Sequence, residues 1–268
     1  MRVQTEEWRR FIPGSQMYKG KKTLFYNGEI LWDADEGEYL VYDEEEQHSW
    51  EVIIVLPGVE VIPEETFSGC DKIETVIMAD TVRRIEWSAF ASCNSLVFVR
   101  LSRNLEVIGD YAFCGCDSLT SIFIPPSCAV IDKCAFYGSS DLRILHVPRH
   151  THLGEGVIER TALIRASPFE VDQYGKYDVN ITESVNEWIR NLNGDDDQFA
   201  LHRACSSFNP ITEIIYEIVK RKGLCSFKKE NQIDITPLEY LEANPFAEDI
   251  DQSLIANRYV LEMMGEAV

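Results

Sequence analysis

The sequence has no long apolar run and few basic residues, and each shortage excludes a class of protein. No stretch approaches the roughly 20 apolar residues that a membrane-spanning helix needs, so we expect no membrane insertion. Lys and Arg number 25 against 45 Asp and Glu, which gives a net charge of −20. A field of that sign repels nucleic-acid backbones and anionic membranes, so we expect no nucleic acid and look for protein partners with neutral or basic surfaces.

Short enzyme motifs are also missing. The chain contains no G-x-S-x-G, no H-E-x-x-H and no P-loop sequence. His202 and Cys205 lie three residues apart on one predicted helix face, but no acid that would orient the histidine is indicated. We therefore expect no enzymatic activity and no cofactor. A divergent enzyme with a site between the two halves of the chain is the remote alternative.

What the sequence does contain is a repeat of 23 residues between Ile62 and Pro148. Each unit carries a phenylalanine, an isoleucine five residues before it, and a short alternating apolar run at its end. A period this strict predicts a solenoid of stacked units whose alternating runs form parallel strands side by side. The four phenylalanines are Phe67, Phe90, Phe113 and Phe136.

A single unit is too small to fold alone. Its apolar side chains contribute about 10 kcal/mol, at about 1.5–3 kcal/mol for each large one. Ordering its backbone costs more, at about 1–2 kcal/mol per residue. Neighbouring units must therefore cover one another. Within each unit, the Ala-Phe pair predicts a short helical turn with the phenylalanine pointing inward, and the Gly or Ser before the cysteine position permits a tight return.

Three of the eight cysteines, Cys70, Cys93 and Cys116, follow the repeat. We expect an inward column of reduced thiols, because in-register Cβ atoms of adjacent strands lie farther apart than the roughly 3.8 Å of a disulfide. A zinc site at Cys114, Cys116 and Cys134 is disfavoured, since the chain has no C-x-x-C pair. The N-terminal residues contain no apolar core of the signal-peptide type, so we expect a location in the cytoplasm or nucleus.

The repeated pattern I-x-x-x-A-F-x-x-C-x-x-L-x-x-I-x-I-P resembles the BspA-like leucine-rich repeat family. Four units match between about Val59 and Pro148, and partial matches at Val52–Leu56 and in VIERTALI extend the region. The resemblance implies a right-handed, curved solenoid that binds other macromolecules and performs no chemistry. Some relatives are secreted or surface adhesins, so an adhesin is the alternative to an intracellular scaffold.

Two positions in each closing strand alternate with the buried ones and are expected to face outward. Aromatic and Arg side chains on such a face are typical of binding hot spots, so we interpret it as a partner-binding surface. The alternatives are that the terminal segments cover this face or that its aromatic residues only pair across strands. We expect Phe123→Glu to leave the fold intact but to weaken partner capture, whereas Phe113→Glu unfolds the array. The eight residues are Thr75, Ile77, Phe98, Arg100, Ser121, Phe123, Ile144 and His146.

Residues 1–51 precede the clear repeats and are expected to form a β-rich, acidic cap. KTLFYNGEILWD predicts a hairpin with a tight turn at Asn27-Gly28, and EYLVY and SWEVIIVL predict further strands. No Lys or Arg occurs between Thr23 and Asp71. We interpret the acids of this stretch as a solvated edge. A calcium site at DADEGE and a dock for a basic partner are the alternatives.

After Pro148 the apolar residues recur at intervals of three and four, which predicts amphipathic helices. FALHRAC and ITPLEYL, whose signature positions lie 37 residues apart, resemble the ankyrin signature T-P-L-H-x-A. The resemblance implies structural roles for these residues. Phe199 and Ala200 stand where Thr-Pro is usual, and a generic helical cap is the alternative. Helix boundaries are indicated by Asn180, Asp197, Asn209 with Pro210, and Gly223.

The sequence therefore predicts an α/β repeat fold, a leucine-rich-repeat solenoid with a parallel β-sheet followed by an all-α ankyrin-like domain. The expected boundaries are 1–51 for the cap, 52–166 for the solenoid and 167–268 for the helical domain. We interpret His146, His150 and His152 as histidines of a loop and expect no metal. The expected function is that of a monomeric, non-enzymatic intracellular scaffold that binds a protein partner through the strand face, with the helical half as a further surface.

Overall fold

The chain forms a two-sheet β-solenoid followed by short helices. The computed structural model describes residues 20–28, 31–33, 49–192, 197–207, 210–244, 247 and 250–264. Among these residues, no helix has both the length and the apolar character needed to cross a membrane. The segments EYLVY and DADEGE, apart from the backbone of Asp33, lie outside the described residues, as does most of the acidic N-terminal stretch.

The first sheet contains the closing strands of the repeat. Its central strands are parallel and in register, so that Val76 pairs with Ile53 on one side and with Val99 on the other. This arrangement confirms the prediction of parallel strands laid side by side. The strands are β1 (Thr23–Tyr26), β2 (Leu31–Asp33), β3 (Val52–Val55), β5 (Thr75–Met78) and β7 (Phe98–Arg100), continued by the parallel pair β9 (Ser121–Phe123) and β11 (Ile144–His146).

A second parallel sheet, which the sequence analysis did not predict, lies on another side of the solenoid. Each of its strands has two residues, the first facing outward and the second buried. The repeated isoleucine, five residues before each phenylalanine, is the buried residue. The strands are β4 (Val61–Ile62), β6 (Arg84–Ile85), β8 (Val107–Ile108), β10 (Val130–Ile131) and β12 (His152–Leu153).

The four repeated phenylalanines form a stacked column inside the solenoid. Neighbouring ring centroids lie 5.2, 5.2 and 5.6 Å apart, and Tyr26 closes the N-terminal end with an edge-on contact of 5.3 Å to Phe67. The inward direction of these rings is confirmed. The short helical turn expected around them is instead a pair of tight turns.

The last repeat unit is one residue shorter than the others. Val130 pairs with Val107, 23 residues earlier, but with His152, only 22 residues later. The stack continues beyond it, since Phe136 N–H donates to Val157 O at 3.0 Å and Leu163 N–H donates to Leu142 O at 2.8 Å. The stretch VIERTALI therefore belongs to a degenerate following unit, as predicted, in which a helix at Ala162–Arg165 replaces the closing strand.

The N-terminal hairpin is present, but its connection is longer than predicted. Strands β1 and β2 are antiparallel, and Tyr26 pairs with Leu31, so four residues separate the two strands instead of two. Strand β1 also pairs in parallel with β3, from Thr23 opposite Val52 to Tyr26 opposite Val55. The N-terminal segment therefore extends the first sheet by two strands.

The C-terminal half is helical, as predicted. The helices are α1 (Ala162–Arg165), α2 (Thr182–Asn191), α3 (Ala200–Cys205), α4 (Thr212–Lys222), α5 (Pro237–Ala243) and α6 (Gln252–Met263). Helix α3 packs against both α4 and α5, and α4 packs against α6.

The predicted helix boundaries are partly correct. Gly223 ends α4 with φ of 84°, and its N–H donates to Val219 O at 2.7 Å. Asn180 does not cap a helix: the Asp178 side chain accepts from Asn180 N–H and opens a 3-10 turn that leads into α2. Thr236 caps α5 in a reciprocal pair with Glu239. Asn209 lies outside the described residues.

Candidate functional site

The predicted strand face is the outer surface of the first sheet. We call the eight outward positions on β5, β7, β9 and β11 the strand face. The register places Thr75 beside Phe98, and Ser121 beside Ile144, on adjacent strands. Adjacent parallel strands lie about 4.8 Å apart, so these side chains form two rows on the paired strands β5 and β7 and two on the paired strands β9 and β11.

Half of the strand face is buried, which contradicts the expectation that it is exposed. The exposed fractions of Thr75, Ile77, Phe123 and Ile144 are only 7%, 6%, 3% and 6%. Val52 and Ile54, which continue the two rows on β3, are buried as well. The expectation that Phe123→Glu leaves the fold intact is therefore wrong, because the substitution places a charge at a buried position.

At the C-terminal end, the helical half lies against this face. Glu239 of α5 forms an ion pair with Arg143, the residue directly before β11, at 2.8 Å. Phe123 and Ile144 belong to the apolar cluster that continues into the helical half. The ion pair supports the alternative that a terminal segment covers this end of the face.

Four residues of the strand face are half-buried, and two of them have defined partners. Arg100 donates to the Met78 carbonyl oxygen and contacts Asp80 at 3.3 Å. His146 stacks on Phe123 with ring centroids 6.2 Å apart, and burial lowers the pKa of His146 to about 4. His146 is therefore neutral at physiological pH. The half-buried residues are Phe98, Arg100, Ser121 and His146.

The candidate metal ligands do not converge. Within the described ranges, no group of three His, Cys, Asp or Glu side chains is placed to hold a metal ion. His146 lies on a closing strand, at the position that the repeat predicts, whereas His152 lies on β12 of the second sheet and not in a loop. All eight cysteines are free, and those of the repeat column, Cys70, Cys93 and Cys116, are buried as predicted.

His202 and Cys205 have structural surroundings. The His202 Nε2 atom lies 3.2 Å from the Ile235 carbonyl oxygen, which fixes the imidazole between α3 and the start of α5. Burial raises the pKa of Cys205 to about 12, so its thiol stays protonated at neutral pH. This pair therefore lacks the thiolate that a cysteine nucleophile needs.

Sequence reasoning missed a second accessible surface, the outer face of the second sheet. The outward residues of β4, β6, β8, β10 and β12 form one row in register, and Trp87 follows β6. The sequence does carry a signal, since the dipeptides Val-Ile and Arg-Ile recur in phase with the repeat. The outward row is Val61, Arg84, Val107, Val130 and His152.

A comparison with protein-family models finds one that matches the solenoid region. Residues 47–167 match the model of the BspA type leucine rich repeat region, in six copies. None of the curated proteins compared with the chain matches it.

Several solved bacterial structures are similar to part of the chain. A leucine rich cell surface protein from Faecalibacterium prausnitzii is 27% identical over 46% of this chain and 32% of its own, with a TM-score of 0.39. A leucine-rich repeat protein from Eubacterium ventriosum is 24% identical over 43% and 31%, with a TM-score of 0.40. One from Bacteroides capillosus is 28% identical over 47% and 77%, with a TM-score of 0.31. The chain thus spans about a third of the first two proteins.

Proposed function

We propose that this protein, whose residues 47–167 form a BspA-type leucine-rich repeat region, is a non-enzymatic scaffold that captures a protein partner. Stacked repeats suit this role, because their length provides an extended surface while each unit contacts only its neighbours. We further propose that the chain divides into a cap at 1–51, the solenoid at 52–166 and the helical half at 167–268.

The observation that carries the proposal is the alignment of the half-buried strand-face residues. Phe98 and Arg100 lie on β7, and Ser121 lies on the neighbouring strand β9. An aromatic ring and a guanidinium held side by side on a rigid sheet have the composition of a binding hot spot. The proposed surface is therefore narrower than the full strand face and comprises Phe98, Arg100, Ser121 and His146.

We also propose that the helical half contains two degenerate ankyrin-like repeats. In that arrangement α3 and α4 form one pair, α5 and α6 form the next, and the first helices and second helices stack separately. The contacts of α3 with α5 and of α4 with α6 support it. Pro237 at the first position of α5 and the Thr236 cap also agree with the signature.

The test of the binding surface compares two adjacent residues. Phe98→Asp changes the proposed surface, whereas Val97→Asp changes a neighbouring side chain that is 53% exposed and lies outside it. Both variants are first checked for folding by circular dichroism and then used in affinity capture from cell extract. Proteins retained by wild type and Val97→Asp but lost by Phe98→Asp are the expected result. Equal retention by both variants would place binding elsewhere.

We propose a reducing compartment, the cytoplasm or nucleus, for this protein. The free state of all eight cysteines, with the repeat column buried in the solenoid, supports it. A cell-surface adhesin is the alternative. Titration of thiols in denatured protein that was purified without reductant should find eight per chain. Recovery of fewer thiols, with disulfide-linked peptides in a digest, would favour the adhesin.

A further inference from the structure

We propose that the outer face of the second sheet, together with Trp87, binds a lysine- or arginine-bearing segment of a partner protein. This second-sheet face consists of Val61, Arg84, Val107 and Val130, with Trp87 and the carboxylates Glu86 and Asp132 beside them. It shares no residue with the strand face, so it is a binding surface beyond the one proposed above.

The apolar part of this face is accessible. Trp87 is 44% exposed and Val61 is 38% exposed, while Val107 and Val130 are half-buried. The three valines share one row, and three steps of about 4.8 Å give a row of about 14 Å from Val61 to Val130. Polar residues are usual on the solvated side of a sheet, so a row of valines beside an exposed tryptophan indicates a contact surface.

Two cations on and beside this face pair with its own acids, and Lys133 has no ion pair within the described part of the chain. Arg84 Nε lies 2.8 Å from Glu86 Oε1, and Arg83 pairs with Glu106. Asp132 forms no ion pair within the described part of the chain. Four carboxylates on and beside the face, Glu86, Glu106, Asp110 and Asp132, outnumber the three cations Arg83, Arg84 and Lys133, so the surplus charge is negative.

Among the carboxylates of this face, Asp132 is the one whose charged form a partner cation would stabilise most. Burial raises its pKa, and the neighbouring Asp110 raises it further because two carboxylates repel each other. Asp110 is itself held in place, since it accepts a hydrogen bond from Lys133 N–H at 2.9 Å. His152 and Arg84 offset only part of this repulsion. A lysine or arginine placed here gains a half-buried anion as its partner.

Each part of the face matches one part of a basic side chain. The tryptophan ring attracts a cation over its face, and the aliphatic stem of Lys or Arg packs on apolar groups such as the valines while its charged end reaches a carboxylate. Arginine is favoured over lysine, because its planar guanidinium stacks on aromatic rings and is less strongly hydrated. The occupant is therefore a protein segment in which basic residues alternate with apolar ones.

The experiment uses a fluorescent peptide of alternating arginine and leucine, titrated with the full chain at an ionic strength of about 0.15 M, where long-range attraction is screened. Trp87→Ser and Asp132→Asn are compared with matched controls away from the face. Tyr174→Ser changes another exposed aromatic residue, and Asp141→Asn changes an exposed aspartate outside the face. Circular dichroism confirms that all four variants are folded.

We expect the Trp87 and Asp132 variants each to weaken peptide binding by about fivefold or more, and the two controls to bind like wild type. A peptide of alternating glutamate and leucine should not bind. If the four variants bind the arginine peptide equally well, the peptide senses only the net charge and the proposal is wrong. Phe98→Asp should bind the peptide like wild type, so failure here is distinct from failure of the strand-face proposal.

Discussion

In three successive units, the side chain at the cysteine position donates to the carbonyl oxygen of the phenylalanine in the preceding unit. Cys93 Sγ lies 3.2 Å from Phe67 O, and Cys116 Sγ lies 3.2 Å from Phe90 O. In the next unit Ser139 makes the same bond, with Oγ 2.8 Å from Phe113 O. The position therefore requires a small donor, which explains why serine replaces cysteine there.

Ser139 provides the test of this donor. Ser139→Ala leaves the buried Phe113 carbonyl without this partner and also removes the acceptor of Cys116 N–H. We expect it to lower the free energy of unfolding by about 1–3 kcal/mol. Ser139→Cys restores the donor that other units use and should cost clearly less. Urea unfolding measures both, and equal losses would show that the bond contributes nothing.

His146 makes the stability depend on pH. Burial lowers its pKa from 6.5 to about 4, so the folded protein keeps the imidazole neutral while the unfolded chain takes up a proton as the pH falls below 6.5. Stability is therefore lost as the pH falls from about 6.5 to about 4, by about 3 kcal/mol at most.

The variant His146→Phe keeps an aromatic ring against Phe123 but cannot titrate. We expect its unfolding midpoint in urea to fall less than that of wild type between about pH 7 and about pH 5. Burial also lowers the pKa of His202, so some pH dependence remains in the variant. Identical pH dependence in the two proteins would mean that His146 is solvated in the folded state.

Two residues in each unit have left-handed backbone conformations, and the sequence indicates only one of them. The first position is Gly69, Gly115 and Gly138 in three units, with φ between 69° and 74°. Glycine adopts this conformation without strain, so the tight return could be predicted. The second position carries Glu65, Ser88, Tyr111 and Cys134, with φ between 52° and 55°. These residue types share no conformational preference, so tertiary packing imposes the turn.

At the scale of elements, helix α2 closes the C-terminal end of the solenoid. The Asn186 side chain donates to the carbonyl oxygens of Leu153 and Gly154, at 3.0 and 3.3 Å. These carbonyls belong to the end of β12, the last strand of the second sheet. The Tyr177 hydroxyl accepts from Gly156 N–H at 2.9 Å in the following turn. Side chains thus replace the hydrogen bonds that a further unit would make.

Removal of the Asn186 amide should loosen this end of the stack. We expect Asn186→Ala to lower the free energy of unfolding by about 1–3 kcal/mol, because two carbonyl groups at a buried edge lose their donor. Hydrogen exchange should quicken at the amides of His152 and Gly154 more than at the amide of Val107. Glu187→Ala, on the exposed side of the same helix, is the control. Uniform changes along the solenoid would contradict a capping role.

The strands of the two sheets differ in how well the sequence predicts them. The closing strands of the first sheet show clear alternation, and they were found where the repeat predicts them. The strands of the second sheet have two residues each, which is too short for any alternation to show. The same limit explains the error at Phe123 and Ile144: periodicity separates the two sides of a strand, but it does not reveal that the helical half covers the outer side.

At the scale of the whole molecule, the solenoid and the helical half share one apolar core. A single cluster runs from Leu24 in β1 through the phenylalanine column to Ile255 in α6. Phe123 and Ile144 are buried at the junction between the two halves. The two halves should therefore unfold together, although one is a β-solenoid and the other is helical.

A substitution at the junction tests this coupling. Phe123→Glu places a charge at a buried position and should destabilise both halves to the same extent. Urea unfolding is followed by hydrogen exchange at Val107 in β8 and at Val219 in α4, which report the two halves separately. Equal shifts of both midpoints are expected, with a smaller shift for the half-buried control Phe98→Asp. A shift confined to the solenoid would show that the halves are independent.

The direction of the hydrogen bonds between units has a consequence for synthesis on the ribosome. The Phe67 amide donates to Ala89 O and the Phe90 amide donates to Ala112 O, both at 2.8 Å. A unit can therefore form these hydrogen bonds only after the next unit, which contains the acceptors, has been synthesised. At about 5–20 residues per second, each unit waits about one to five seconds. The nascent solenoid thus carries one incomplete unit at its growing end, and that end closes only after Tyr177 and Asn186 have left the ribosome.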